Sequence, residues 1–114
     1  MESCIFCEII KKESPADIIY EDDKFIVFRD IKPQAPQDLL VVAKLDLKEH
    51  LVSVDDLQDK HKEMMGEMIL LSKKIAHEQG IGDGYQVHFN VGKKAGQLID
   101  HLHLHVWGGW KEEK

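Results

Sequence analysis

Histidine alternates with an aliphatic residue over positions 101–106, in the order His-Leu-His-Leu-His-Val. Successive side chains of a β-strand point to opposite faces, so this alternation predicts a strand with His101, His103 and His105 on one face. The aliphatic side chains between them then face an apolar core. A chain with this segment must therefore build a sheet that has one apolar face and one face occupied by imidazoles.

The spacing of these histidines limits what they can do together. At roughly 3.3 Å per residue the outer two lie about 13 Å apart along the strand, so all three cannot bind one metal ion. At least one is free for other chemistry, while a metal site for the others and a plain exposed polar face both stay open. Imidazole titrates near neutrality, so a row of imidazoles can combine a nucleophile with a proton donor. A phosphorus electrophile suits such a row, because neutral imidazole attacks it readily.

Composition narrows the class of protein. The chain has 114 residues, a formal charge of −6 and two cysteines. This length fits one domain over 1–114, and the negative charge disfavours a nucleic-acid polymer as partner, because such a partner needs a basic surface. No signal peptide is visible at the first residues, and the longest apolar run, Leu39–Ala43, is too short for a membrane helix. We therefore expect a cytoplasmic protein that does not enter a membrane.

Apolar patterning and turn residues predict an α+β domain with a five-stranded antiparallel sheet, one long helix and one short helix. The predicted short helix starts at Ile5 and ends before Pro15. The predicted strands cover 18–20, 25–28, 39–43, 85–91 and 101–107, and the predicted long helix covers about 55–79. The continuous apolar run at 39–43 predicts a strand that is buried on both faces.

The long helix has the clearest periodicity in the chain. Its apolar residues recur at three- and four-residue steps and form one stripe. Asp55 followed by Gln58 resembles a capping box at its start, and Gly80 is a natural stop after its end. Methionines at helical spacing are usually core residues rather than part of a cofactor pocket, and we interpret those of this helix as core.

A loop of glycine and lysine precedes the histidine strand. Gly92 and Gly96 bracket Lys93 and Lys94, and the backbone amides of such a loop can approach phosphate oxygens. Asn90 stands at the entry of the loop, where its side chain either holds a ligand or bonds its own backbone. A plain hairpin turn is the alternative, and the position of the loop beside the histidine strand is what favours a phosphate site.

Several segments together resemble one known family. The histidine strand resembles the signature of the histidine triad superfamily. Further segments are similar to its nucleotide-binding branch, and the most specific of them is Asp-Ile-Lys-Pro-Gln-Ala-Pro at 30–36. The other similar segments are Cys4–Ile10, Tyr20–Asp23, Phe28–Arg29 and Gly96–Gln97. The resemblance covers essentially the whole chain.

The resemblance implies a fold and an activity. It implies a homodimer in which two five-stranded sheets join into one ten-stranded sheet, with a purine nucleoside pocket in each protomer. It also implies hydrolysis of the P–N bond of adenosine or guanosine 5′-phosphoramidates through a nucleotidyl-histidine intermediate. The product is the nucleoside monophosphate, and no cofactor is required. The alternative is a purine nucleotide-binding or scaffold protein with weak catalysis.

The resemblance also implies roles for individual residues. By this match His103 is the nucleophile, His105 contacts the phosphate and the leaving group, and His101 positions the others. Asp30 matches the residue that binds the ribose hydroxyls, for which a carboxylate is a suitable acceptor. The matched walls of the base pocket are Ile5, Phe6, Ile9, Phe28 and Ile31, and the matched phosphate-side contacts are Asn90, Gly96 and Gln97.

Three positions depart from the pattern of the family. Many relatives have a serine where this chain has Leu98, so a hydroxyl beside the phosphate or leaving group is missing at this nucleotide-binding position. Asp38 stands where eukaryotic relatives have histidine, and Arg29 replaces another histidine. The missing hydroxyl predicts slower turnover or a shifted substrate preference.

Cys4 and Cys7 form a Cys-x-x-Cys pair. Some members of the family bind a structural zinc ion with such a pair, a histidine after the third strand and the first histidine of the triad, which is His101 here. The position of the middle ligand corresponds to Asp46, and His50 is nearby. Either residue would complete a tetrahedral site. A pair of buried thiols without a metal is the alternative.

Overall fold

The computed structural model describes residues 4–45 and 49–112. Its helices are α1 (Ile5–Ile10) and α2 (Lys62–Glu78), and its strands are β1 (Ile18–Glu21), β2 (Phe25–Arg29), β3 (Gln37–Ala43), β4 (Tyr85–His88) and β5 (His103–Gly108). Single turns of 3-10 helix cover Val54–Asp56, Asp59–His61 and Lys93–Ala95. Asp46, one of the two expected middle ligands, lies outside the described residues.

All five strands join one antiparallel sheet in the order β1-β2-β3-β5-β4. The predicted α+β class, the five-stranded antiparallel sheet and the pair of one short and one long helix are therefore confirmed. After β3 the chain runs through α2 to β4, and the last strand, β5, lies between β3 and β4. Leu40 of β3 and His88 of β4 lie opposite His105. The histidine strand thus lies inside the sheet with a neighbour on each side.

The sheet separates two apolar layers, and the alternation in β5 decides which side chain enters which layer. The first layer lies under α2 and includes Met68, Leu71, Ile75, Leu102, Leu104 and Val106, with Met64 and Met65 partly buried against it. The second layer lies under α1 and includes Phe6, Ile9, Ile26, Phe28, Leu40 and Val42. Because β3 contributes to both layers, its residues 39–43 are buried on both faces, as predicted. The interpretation of the α2 methionines as core is confirmed.

The long helix begins at Lys62, so the predicted start at Asp55 was wrong. The Oγ atom of Ser53 accepts the N–H of Asp55 (3.2 Å) and opens a single 3-10 turn instead. The backbone is then extended at Gln58, whose ψ is 174°. A capping box does form, but it joins Gln58 to His61, whose Nδ1 accepts the Gln58 N–H (2.9 Å). The side chain of His61 therefore takes the Gln58 amide, which a helix from 55 would have paired with a carbonyl four residues earlier.

Strands β4 and β5 are both shorter than predicted. β4 ends at His88, and β5 begins at His103 rather than at His101. The N–H of Leu102 donates to the carbonyl oxygen of Leu51 (2.8 Å), which lies in a loop and not in a neighbouring strand. The Leu102 amide is therefore not available to a neighbouring strand, and His101 precedes β5.

Helix α2 stops where the sequence predicts. Gly80 follows it with a φ of +79°, a conformation that glycine adopts without a steric penalty. Across the described ranges 4–45 and 49–112, neither helix combines the length and the apolar character needed to cross a bilayer.

Candidate active site

The three histidines lie on the face of the sheet that packs against α1. His101 and His103 are buried, and His105 is half-buried. The ring of Phe6 from α1 stands edge-on to His101 and His103, with centroid distances of 5.9 and 5.1 Å. His103 and His105 stand edge-on to each other at 5.0 Å. The predicted common face is confirmed, and α1 covers the end of it that carries the first two imidazoles.

His103 is held in one tautomer. Its Nδ1 lies 2.6 Å from the carbonyl oxygen of His101, and a carbonyl oxygen only accepts, so Nδ1 carries the hydrogen. The lone pair is therefore at Nε2. Burial lowers the pKa of His103, and the charge of His105 lowers it further. His103 is consequently a neutral imidazole with a lone pair at Nε2, which is the form that attacks an electrophile.

The ring of His101 points away from His103 and towards the cysteines. Its Nε2 donates to the carbonyl oxygen of Ala43 (2.6 Å). Its Nδ1, which then carries the lone pair, lies 3.4 Å from the Sγ of Cys4 and 3.5 Å from that of Cys7. Burial lowers the pKa of His101 to about 4. The backbone carbonyl of His101 therefore positions His103, while the imidazole ring of His101 contacts the thiols of Cys4 and Cys7.

His50 completes a cluster of four potential metal ligands. Its Nε2 donates to the carbonyl oxygen of Asp100 (2.7 Å), and its Nδ1 lies 3.9 Å from the Sγ of Cys7. One donor atom from each of Cys4, Cys7, His50 and His101 lies within 4.8 Å of the others. Two thiols and two imidazoles are a typical donor set for tetrahedral zinc.

The surroundings of this cluster favour the same interpretation. Both imidazoles bind a carbonyl through Nε2, so both lone pairs point at the thiols, as in zinc sites whose histidines are held from outside. Without an ion, burial and a hydrogen bond with Cys4 raise the pKa of the Cys7 thiol to about 11. The donor set therefore fits zinc, whose binding would release the thiol protons.

The loop before β5 is shaped by the side chains that were expected to contact phosphate. The Nδ2 of Asn90 donates to the carbonyl oxygen of Ala95 (2.7 Å). The side chain of Gln97 is buried, accepts the N–H of Gly92 (2.9 Å) and donates to two further carbonyls, those of Val52 and Ile99. Gly96 has a φ of +92°, which favours glycine. These residues hold the loop in shape from within.

The expected base and ribose contacts fall into a buried group and an exposed group. Phe6, Ile9 and Phe28 are buried together in the layer under α1. Ile5 is partly exposed, while Ile31 and Leu98 are 87% and 90% exposed and belong to neither layer. One carboxylate oxygen of Asp30 accepts the N–H of Lys32 (2.9 Å), and further acceptor capacity remains on this half-buried side chain.

Two more polar side chains lie beside the triad. Asp38 and His88 approach His105 from β3 and β4 respectively. His88 carries no local signal of a role in the sequence, because only the register of β4 against β5 brings it to the site. A charged residue at the start of an otherwise apolar strand is the signal that marks Asp38.

Comparison with known proteins agrees with this geometry. Residues 3–113 match the family model described as "Scavenger mRNA decapping enzyme C-term binding". The chain is 39% identical over 109 residues to the purine nucleoside phosphoramidase of Escherichia coli (strain K12), which covers 95% of this chain and 88% of that protein. It is 40% identical over 105 residues to a 14 kDa zinc-binding protein of Zea mays, covering 92% of this chain and 80% of that protein.

A solved structure extends the agreement to three dimensions. The HIT family hydrolase from Clostridium thermocellum superimposes on this chain with a TM-score of 0.89 and 36% sequence identity. The match covers 100% of this chain and 96% of that one. With three histidines on one face of a strand and relatives of this kind along nearly its whole length, the chain belongs to the histidine triad family.

Proposed function

We propose that residues 1–114 form a single enzyme domain that hydrolyses the P–N bond of purine nucleoside 5′-phosphoramidates, such as adenosine 5′-monophosphoramidate. The observation that carries the proposal is the tautomer of His103, whose Nδ1–H donates to the His101 carbonyl oxygen and whose lone pair is at Nε2. The similarity to a phosphoramidase and to a hydrolase of the same family supports it.

The reaction has two displacement steps at phosphorus. In the first, the Nε2 lone pair of His103 bonds to phosphorus, and the P–N bond of the substrate breaks with its electron pair on the amine nitrogen. That nitrogen takes a proton from His105. In the second, a water oxygen bonds to phosphorus and gives a proton to His105, and the bond to His103 breaks with its pair returning to Nε2. The nucleoside monophosphate is released, and no cofactor takes part.

The nucleoside would lie between the buried aromatic group and the exposed apolar side chains. Phe6 and Phe28 pack edge-to-face at 5.3 Å and offer an apolar wall for a purine. Burial of Ile31 against the nucleoside would gain roughly 25 cal/mol for each Å² removed from water. Asp30 would accept hydrogen bonds from the ribose hydroxyls, and the loop held by Gln97 would border the phosphate.

One observation favours the alternative of a nucleotide-binding or scaffold protein with weak catalysis. Leu98 is 90% exposed and brings no hydroxyl to the site. A phosphate or leaving group beside it would lack one hydrogen-bond partner. Tight binding of AMP in calorimetry, together with negligible hydrolysis of several phosphoramidates, would support this alternative.

We propose that Cys4, Cys7, His50 and His101 bind a structural zinc ion. The support is the donor set described above and the name of the zinc-binding relative. The ion would tie α1 to the loop after β3 and to the residue before β5, and so support His103 through the His101 backbone.

Free thiols persist in a reducing compartment, so we place the protein in the cytoplasm.

We also propose a homodimer that joins two sheets at β4 into a ten-stranded sheet. β4 is an edge strand of the described sheet, with one side unpaired. Val87 lies opposite the buried Val106 and so faces the α2 side, yet it is 40% exposed. Ile69 and Leu70 of α2 are also exposed apolar residues. A two-fold interface over β4 and α2 would cover such side chains.

Removal of the nucleophile should abolish turnover. For His103→Ala we expect release of AMP from adenosine 5′-monophosphoramidate to fall by at least about 10³-fold, because the covalent step is lost. His77→Ala is the matched control, since His77 is an exposed histidine of α2, and its rate should stay within about twofold of wild type. Equal rates for wild type and His103→Ala, measured by chromatography of labelled AMP, would contradict the proposal.

Metal analysis of the purified protein tests the zinc site. We expect one zinc ion per chain in wild type and none in Cys7→Ser, with a stability difference of about 2.7 kcal/mol when free zinc exceeds Kd about 100-fold. His50→Ala should lose the ion, whereas Asp46→Ala should keep it. The opposite pattern would assign the fourth ligand to Asp46, and a wild-type protein without zinc would exclude the site.

The molecular mass in solution tests the dimer. Light scattering should give twice 13.1 kDa for wild type and 13.1 kDa for Val87→Glu, because the two-fold axis brings two like charges together in an apolar interface. Asp23→Lys changes the charge of an exposed residue in the β1–β2 turn, at the opposite edge of the sheet, and should remain dimeric. A monomeric wild type at the same concentration would rule out the assembly.

A further inference from the structure

A buried polar cluster lies where β3, β5 and β4 meet, on the histidine face of the sheet. Asp38 of β3 lies opposite Trp107 of β5, which places it diagonally across from His105. His88 of β4 lies directly opposite His105 and stacks on it, with centroids 4.9 Å apart and an interplanar angle of 14°. Asp38 is only 3% exposed. A charged group in this place needs a physical reason.

Within the described residues, one oxygen of the Asp38 carboxylate has a hydrogen-bond partner and the other does not. The Oδ2 atom of Asp38 accepts the N–H of Gln34 (2.8 Å). Its Oδ1 atom has no hydrogen-bond partner within residues 4–45 and 49–112, and the same is true of His105 Nδ1 and Trp107 Nε1. A buried polar atom without a partner is costly, so three of them side by side point to a function.

The geometry identifies the pair that can form. His105 Nδ1 lies 4.0 Å from Asp38 Oδ1, so a movement of about 1 Å closes a hydrogen bond. A carboxylate only accepts, and the bond therefore requires the hydrogen of His105 on Nδ1. The second ring nitrogen, Nε2, is then the atom that exchanges a proton with the substrate.

We propose that Asp38 is a positioning residue that acts through His105, holding its Nδ1–H so that Nε2 delivers the proton to the departing amine. The inference rests on the proposed phosphoramidase function and assigns the residue that positions the acid of that reaction. As the P–N bond breaks, the electron pair stays on nitrogen and the Nε2 proton of His105 joins it. His105 is left neutral, and its Nδ1–H still donates to the carboxylate of Asp38. The attacking water later returns a proton to Nε2.

Other titratable groups face His105 as well, and their positions fit this role. His103 stands edge-on to it within β5, and Asp30 has a carboxylate oxygen within 4.8 Å of ligand atoms of Asp38 and His105. Burial lowers the pKa of His88, and the charge of His105 lowers it further. The protonated form of His88 is therefore disfavoured, and the carboxylates of Asp30 and Asp38 lie beside His105.

The test compares two substrates that differ in their need for a proton. An adenosine 5′-phosphoramidate of a primary alkylamine needs protonation of its leaving nitrogen, whereas the 4-nitrophenyl ester of AMP loses a stable phenolate without it. For Asp38→Asn we expect kcat to fall about 10²-fold on the amidate and to change less than about threefold on the ester. Asp22→Asn is the matched control, since Asp22 also accepts backbone N–H groups but in the β1–β2 turn. It should match wild type on both substrates.

A double variant tests whether Asp38 acts through His105. Because Asp38 acts through His105, the variant D38N/H105N should hydrolyse the amidate no more slowly than H105N, both measured in samples with a cooperative thermal transition. Losses that multiply, an equal loss of D38N on both substrates, or no loss on the amidate would overturn the inference. A wild type inactive on both substrates would instead contradict the proposed function, and this inference with it.

Discussion

The buried hydrogen bond between the Nδ1 of His103 and the carbonyl oxygen of His101 is the contact on which the site depends. It fixes the position of one hydrogen and so places the lone pair of His103 at Nε2. The ring of His101 is used elsewhere, with one nitrogen on the Ala43 carbonyl and the other facing Cys4 and Cys7. His101 therefore connects His103, the proposed nucleophile, to the proposed zinc cluster. Anything that fixes the His101 backbone also fixes His103.

Most of the fold follows from patterns within a few residues of chain. The alternation at 101–106 and the apolar run at 39–43 each report which faces of a strand are buried, and burial is a local property of the sequence pattern. The start of α2 is not local in this sense. It depends on whether the Gln58 amide binds the His61 imidazole more favourably than a helical carbonyl, and the helical periodicity does not report that competition. His101 precedes β5 because the amide of Leu102 donates to a loop carbonyl, that of Leu51.

The site was predictable where its members are close in sequence. The histidines share a strand face, and the Cys-x-x-Cys pair lies at the start of one helix, so spacing alone brings each set together. His88 and Asp38 join His105 only through the register of three strands, and His50 joins Cys7 only through the path of a loop. Asn90 shows the converse case, since a side chain with ligand chemistry binds its own loop. Residue type and spacing do not determine such long-range pairings, which arise from tertiary structure.

If nucleotide transfer passes through His103, as we propose, an adenylylated His103 forms during turnover and can be trapped. Wild-type protein is mixed with adenosine 5′-monophosphoramidate, quenched in base within the first turnover and digested for mass spectrometry. We expect an adenylyl group on His103 in the peptide that contains the triad, and we expect it to appear before free AMP. Release of AMP with no modified histidine, or with the group on His101 or His105, would contradict it.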